Sequence, residues 1–361
     1  MKILIIGTGN VGTALAADLS LKGNDVVVLK TSKYSNAEHY NKIKEDKAIV
    51  LRELNGEENI AKITNITDNY ETAFSNKPEI IIICSQTNYH EEIIANISKY
   101  LNKSQIIILE PGYLSTAYFL KHCDKEKMPV IVEAESSPID CRIYDSGKVG
   151  VLFKNVRNPI GIYPKSKKNE VFKILEKLNL KFTLADSVIE SALHNPNLIV
   201  HTIGAIMSIP RIEYTNGEYW MYKEVFTKSV WNMVEKLDGE KMQVLAKLNL
   251  KPIRYIDICK FRNSDNLSLD SKDIFIDYAN NSSPKGPNVS DSRYITEDVS
   301  QGLVLLESLG KILQVNTPIC TALIDIAGAC LNKNFRENGR TIEKLGNNNL
   351  KIIVEDQINE K

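Results

Sequence analysis

The residues with the plainest chemical purpose stand near the start of the chain, as Gly7-Thr8-Gly9-Asn10-Val11-Gly12. An apolar run, Lys2–Ile6, leads into them, and a helix-forming run, Val11–Lys22, leads out. In that setting the first glycine permits a tight turn and the second lets the backbone approach a pyrophosphate. The third lets helix and strand pack closely. The helix N-terminus adds unpaired N–H groups that attract phosphate. A six-residue glycine motif is weak alone; between strand and helix it predicts a bound dinucleotide.

The second strand-like run, Asp25–Leu29, ends in Lys30-Thr31-Ser32-Lys33. An NAD site places an acid at that end to hold the ribose 2′-hydroxyl, and here there is none; Asp25 lies at the wrong end. A cation and two hydroxyls suit a 2′-phosphate better, so NADP is expected in preference to NAD. The plain alternative is that Lys30 and Lys33 are solvated loop charges. After the run Ile80–Cys84, Cys84 and Ser85 fall where a strand-to-helix loop would meet the cofactor's centre.

Hydride transfer to a C=O or C=N bond calls for a general acid beside the reacting atom. Beyond residue 187 the chain has two histidines, His194 and His201, spaced two helical turns apart with Asn197 on the same face. A packed core histidine is the plain alternative for each.

These groups need elements to hold them. The first half alternates short apolar runs (Lys2–Ile6, Asp25–Leu29, Ile80–Cys84, Ile106–Leu109, Val130–Glu133, Lys148–Phe153, Ile160–Tyr163, Lys181–Leu184) with helical stretches. That alternation reads as a doubly wound, Rossmann-type α/β sheet. From about residue 187 helical patterns take over: Ser187–Ser208, Tyr222–Leu237, Glu240–Leu248, Glu297–Leu313 and Pro318–Leu331. Asn263–Asn288, rich in Asn, Ser, Asp, Gly and Pro, reads as an irregular excursion. The expected organisation is a dinucleotide-binding domain over 1–187 and an all-α catalytic domain over 188–361.

Composition narrows the class further. The 361 residues carry 45 basic and 45 acidic side chains, so there is no basic excess to bind nucleic acid and no net charge to favour disorder. No apolar run approaches a membrane span. The six cysteines are scattered without a C-x-x-C pair, which argues against a disulfide framework and against a zinc site. A reducing cytoplasm is the expected compartment, and no metal site is expected.

Several segments together resemble the octopine/nopaline (opine) dehydrogenase family. They are Arg293-Tyr-Ile-Thr-Glu-Asp298-Val-Ser-Gln-Gly302-Leu-Val-Leu-Leu-Glu-Ser-Leu-Gly310 with Thr317-Pro318, the pair Asn197-x-x-x-His201, and Glu135-Ser-Ser-Pro-Ile-Asp-Cys141-Arg142. With the glycine loop, the resemblance spans nearly the whole chain. It implies reduction of the imine formed between an amino acid and a 2-oxo acid. By resemblance His201 is the acid/base and Asp298 its partner, Arg293 binds the oxo acid, and Glu135, Ser136 and Cys141 hold the amino-acid partner. Asn197 then orients His201 or the nicotinamide. A carboxylate fits the role given Asp298, since it holds an imidazole's tautomer and stabilises its charged form. Asp298 is expected near a helix N-terminus, whose dipole would keep it ionised.

Thr202, where proline is common in the family, Asp140 beside the substrate segment, and the aromatic stretch Tyr214–Tyr222 depart from the expected pattern. They bear on which amino acid is used more than on the reaction. The sequence leaves the assembly open, and a homodimer is the one considered.

Two other readings compete. A ketopantoate reductase or hydroxy-acid dehydrogenase would rely on a lysine in the catalytic helix, and none lies between Lys181 and Lys223. A non-catalytic NADP-sensing protein would need the glycine loop but not His201, Asp298 or Arg293.

Overall fold

A computed structural model describes residues 1–32 and 35–358. The chain divides into two units, Met1–Val188 and Ile189–Lys361.

The first unit is built on an eight-stranded sheet. In spatial order its strands are Phe182–Leu184, Asn158–Tyr163, Val130–Ala134, Ile106–Leu109, Ile80–Ile83, Lys2–Ile6, Asp25–Leu29 and Asn65–Thr67. The last six run parallel, and Asn158–Tyr163 pairs antiparallel with Val130–Ala134. The four residues Ile80–Ile83 are all buried, as are Ile106–Leu109. Runs without alternation are what a sheet covered on both faces demands. Strand order reverses at Lys2–Ile6, which lies between its sequence neighbour Asp25–Leu29 and the distant Ile80–Ile83. Such a switch point opens a crevice beyond the strands' C-terminal ends.

A second sheet has the order Glu58–Lys62, Ala48–Arg52, Lys148–Lys154 and Ile139–Asp145. Only the strand near Lys148 was legible from its apolar run. The hairpin formed by Ala48–Arg52 and Glu58–Lys62 has its own signal in Asn55-Gly56, with Gly56 at φ +85°. The helix Asn10–Leu21 packs against strands of both sheets. That double cover explains why Ala14, Leu15, Ala16, Ala17 and Leu19 are all fully buried, with apolar residues around the whole helix.

The second unit is helical, and several expected boundaries move. The stretch read as one helix over Ser187–Ser208 is two, Val188–Leu193 and Asn197–Thr215. Pro196 cannot continue a helix, and Asn195 Oδ1 takes the Asn197 N–H at 3.0 Å to start the next one. Conversely, Lys228–Lys247 is one helix running through Gly239, where two were expected. Asn263–Asn288 is not irregular throughout. It contains the helix Ser271–Asn281, whose N-terminus is capped by Asp270 Oδ1 accepting from the Lys272 N–H at 2.8 Å. The helix expected over Glu297–Leu313 starts earlier, as the short α-helix Arg293–Thr296, widens into a π-helical stretch over Asp298–Leu303, and ends as the α-helix Val304–Leu313.

Side chains hold that π-helical stretch. Ser300 Oγ donates to the Thr296 carbonyl at 2.8 Å, and the Arg340 N–H donates to the Ser300 carbonyl at 3.0 Å. The fully buried Arg340 also donates through Nε to Gln301 Oε1 at 2.9 Å. Inserted π turns of this kind recur at functional sites.

Candidate active site

In the first unit the glycine loop takes the shape its residue types allow. Gly7 has φ +117°, and a Cβ on Gly12 would stand 2.0 Å from the Gly7 carbonyl oxygen. Turn and helix therefore close only around glycine. A Cβ on Gly9 would meet nothing within 4 Å, which is the open approach a pyrophosphate needs. No side chain among the described residues caps the helix Asn10–Leu21, and its first turn holds no acid, so its leading N–H groups suit an anion.

Thr8 and Asn10 also have structural duties. The Thr8 carbonyl accepts from Asn36 Nδ2 at 3.4 Å, and Asn10 Oδ1 accepts the Ile143 N–H at 2.9 Å, tying the loop to the smaller sheet. Val11 is half-buried and packs on the core.

The Cys84 N–H donates to the Ile6 carbonyl at 2.8 Å, which sets Cys84 and Ser85 beside the glycine turn at the switch point. Burial pushes the Cys84 thiol well above its ordinary pKa, helped by Glu110 and Cys141. Ser85 Oγ and both carboxyl oxygens of Glu110 are buried and find no hydrogen-bond partner among the described residues. Burial also pushes the Glu110 carboxyl well above the usual carboxylate range. Orphaned polar atoms at the ends of adjacent strands are where a bound dinucleotide would supply partners, so these residues fit one.

Lys30 is buried at the end of the second strand, where its ammonium bonds the Ser32 carbonyl and lies 3.4 Å from Ser32 Oγ and 5.8 Å from the Tyr40 ring centroid. Thr31 beside it is half-buried, while Lys33 lies outside the described residues. The neighbouring turn 110–116 is fixed by a residue that the motifs did not flag. Fully buried Glu133 accepts the N–H groups of Leu114 (2.7 Å) and Thr116 (2.8 Å), and the Thr116 hydroxyl (2.6 Å). These bonds hold Tyr113 and Leu114 at positive φ, and Gly112 is needed because a Cβ there would overlap the Glu133 carboxylate.

Of the residues expected to hold the amino-acid partner, Glu135 is buried with its N–H on the Pro159 carbonyl at 3.1 Å, and Ser136 is half-buried next to it. Cys141 is different. Its side chain is 1% exposed within the core beneath the smaller sheet, and burial pushes its thiol up to about 12. It packs among the core residues. Asp140 is occupied by Arg142 at 3.1 Å.

In the second unit, residues 97 positions apart meet: His201 Nδ1 lies 2.9 Å from Asp298 Oδ2, both side chains nearly buried. Asn197 starts the His201 helix one turn earlier. Thr202 Oγ1 turns back to donate to the Leu198 carbonyl at 2.6 Å. Asp298 opens the π-helical stretch, just after the short helix Arg293–Thr296. Arg293, half-exposed, lies 3.6 Å from Glu297 one turn on, so its ion pair runs along its own helix.

The break at Pro196 removes the shared helix face of His194 and His201. His194 is buried, and burial first, then the Lys241 cation, hold its imidazole well below its ordinary pKa. It is a neutral core residue. Tyr214 and Trp220 of the aromatic stretch face solvent, whereas Tyr219 is buried.

Sequence reasoning missed Tyr294. Its ring lies 3.7 Å from that of His201, centroid to centroid, with 7° between the planes. The signal was available in the spacing, since Tyr294 and Asp298 stand four apart on one helical stretch.

A dinucleotide-binding unit with a switch-point glycine loop, followed by a helical unit that buries a histidine–carboxylate pair, defines an NAD(P)-dependent oxidoreductase. Residues 184–331 match the NAD/NADP octopine/nopaline dehydrogenase alpha-helical domain, and residues 3–131 match ketopantoate reductase. The opine dehydrogenase of Arthrobacter sp. (strain 1C) is 27% identical over 348 residues, 95% of this chain and 94% of that one. Octopine dehydrogenase solved with NADH and L-arginine superposes with a TM-score of 0.74 at 17% identity, covering 98% of each chain. Yersinopine dehydrogenase with NADP+ bound superposes at 0.73 with 14% identity, covering 99% of this chain and 98% of that one. The chain is thus similar to the opine dehydrogenases over nearly its whole length. Its nucleotide-binding part is also similar to ketopantoate reductase.

Proposed function

We propose that this protein joins an amino acid to a 2-oxo acid by reducing the imine they form, giving a secondary-amine dicarboxylate. The observation that carries the proposal is the buried His201–Asp298 pair. The dinucleotide, NADP in preference to NAD, supplies the hydride that the imine carbon accepts. Asp298 accepts the Nδ1–H of His201, which leaves Nε2 as the nitrogen able to hold a proton for the oxo or imine group. The carboxylate also stabilises the imidazolium. Arg293 binds the oxo-acid carboxylate through its guanidinium. Glu135, Ser136 and Cys141 hold the amine partner, and Asn197 orients His201 or the nicotinamide.

In the first unit, Gly7, Thr8, Gly9, Asn10, Val11 and Gly12 form the pyrophosphate turn, and Cys84 and Ser85 border the cofactor's centre. Lys30, Thr31 and Ser32 meet the 2′-phosphate. The test is an NADPH-oxidation screen of amino acids against pyruvate, glyoxylate and 2-oxoglutarate. Oxidation that needs both substrates supports imine reduction. Oxidation with the oxo acid alone would point instead to a ketopantoate-reductase type of reaction, and none at all to a dinucleotide sensor.

A further inference from the structure

His201 is held on two sides by one short stretch of chain. Asp298 bonds the ring edge at Nδ1, and Tyr294 covers the ring face with its own ring nearly parallel. The two are four residues apart, so one helical face presents both. Tyr294 is itself fixed, packed against the buried Ile212, Tyr219 and Met221. We infer that Tyr294 is a positioning residue for His201, setting the imidazole plane and stabilising its protonated form through the electron-rich ring face.

An aromatic face carries negative quadrupole density, so a stacked cation is favoured over the neutral ring. Charged groups on the elements packed around His201 have partners of their own. Arg293 lies by Glu297, and Tyr219 bonds Ser208. On the helix Lys228–Lys247, Asp238 pairs with Lys241, and Glu240 accepts the N–H groups of Ile319 and Cys320. On Val304–Leu313, Glu307 pairs with Arg336. Asp298 at the ring edge and Tyr294 at the ring face are set directly against the imidazole.

This inference rests on the proposed role of His201, and its test separates the two. The side-chain nitrogens of the holoprotein's five histidines would be followed by ¹⁵N NMR across pH, with His201 assigned by loss of its signal in His201→Gln. Tyr294→Phe keeps a stacked ring and should hold the His201 midpoint within about 0.3 units. Tyr294→Leu removes the ring and should lower that midpoint by about half a unit or more. The acid limb of kcat against pH should move the same way.

Leucine could disturb folding, so phenylalanine bearing three ring fluorines at position 294 provides a second variant of nearly unchanged shape. Drawing density from the ring should lower the midpoint again. An unmoved midpoint with either the leucine or the fluorinated side chain would overturn the inference. A shifted midpoint with an unshifted rate profile would uphold the stacking role and count against His201 as the acid.

Discussion

His201 Nδ1 and Asp298 Oδ2 stand 2.9 Å apart although 97 residues separate them in sequence. A hydrogen bond of that length between nearly buried groups gives the imidazole one orientation and one preferred tautomer. Removing the imidazole should therefore abolish proton transfer without touching the glycine loop. His201→Gln is expected to lower kcat by about 10²- to 10⁴-fold, with NADPH affinity within about threefold of wild type. Asp298→Asn should lose rate in the same range, since an amide can present the wrong partner to Nδ1. Steady-state kinetics beside a fluorescence titration of NADPH reads both, and near-normal turnover in His201→Gln would sink the assignment.

The second and third glycines of the loop should respond differently to the same methyl group. At Gly12 a Cβ would meet the Gly7 carbonyl at 2.0 Å, so Gly12→Ala should lower thermal stability and dinucleotide affinity together. At Gly9 it meets nothing within 4 Å, so Gly9→Ala should keep the wild-type melting temperature and weaken only the dinucleotide. Thermal melts with and without NADPH would show the contrast. Equal melting temperatures for the two variants would mean that the Gly7–Gly12 approach is not the constraint.

Lys30 is the group on which cofactor choice turns. If its ammonium faces a 2′-phosphate, Lys30→Ala should weaken NADPH about tenfold and leave NADH within about twofold, in line with the loss of one charge-assisted contact. Matching losses for the two cofactors would remove the argument for NADP and return Lys30 to its bond with Ser32 and its place over Tyr40.

A stability prediction follows from Glu307, whose carboxyl is held at about 2, first by its hydrogen bonds with Arg336, then by Thr321 and Lys311. The folded-state value lies below the ordinary carboxylate value, so this stabilisation is complete above about pH 4.5 and fades as pH falls toward about 2. Arg336→Gln should accordingly cost about 2–3 kcal/mol at pH 7 and progressively less below pH 4. Urea unfolding at both ends of that range would measure it, and a penalty independent of pH would show that the loss is one of packing.

Much of the molecule was legible because it is written in local patterns. All-buried isoleucine runs announced the central strands, and the glycine loop announced its own turn. The change of periodicity near residue 187 announced the helices. Where reading failed, the deciding contact was distant. Nothing local marks Ala48–Arg52 as the strand beside Lys148–Lys154, whereas Asn195-Pro196 is a local helix break hidden by the apolar runs on either side of it. Asp270 could have been read as a cap for Ser271–Asn281, but the polar residues around it masked the signal.

The residue types alone offered a phosphate turn, a cation at the second strand's end and two histidines, and the family resemblance paired His201 with Asp298. Tertiary structure decided which of these groups meet. It set Asp298 against the ring edge and Tyr294 against the ring face, sent Cys141 into the core, and left His194 neutral. The physical reason is that hydrogen-bond and stacking geometry is specific to tenths of an ångström, whereas sequence spacing constrains only neighbours within a turn or two of one element.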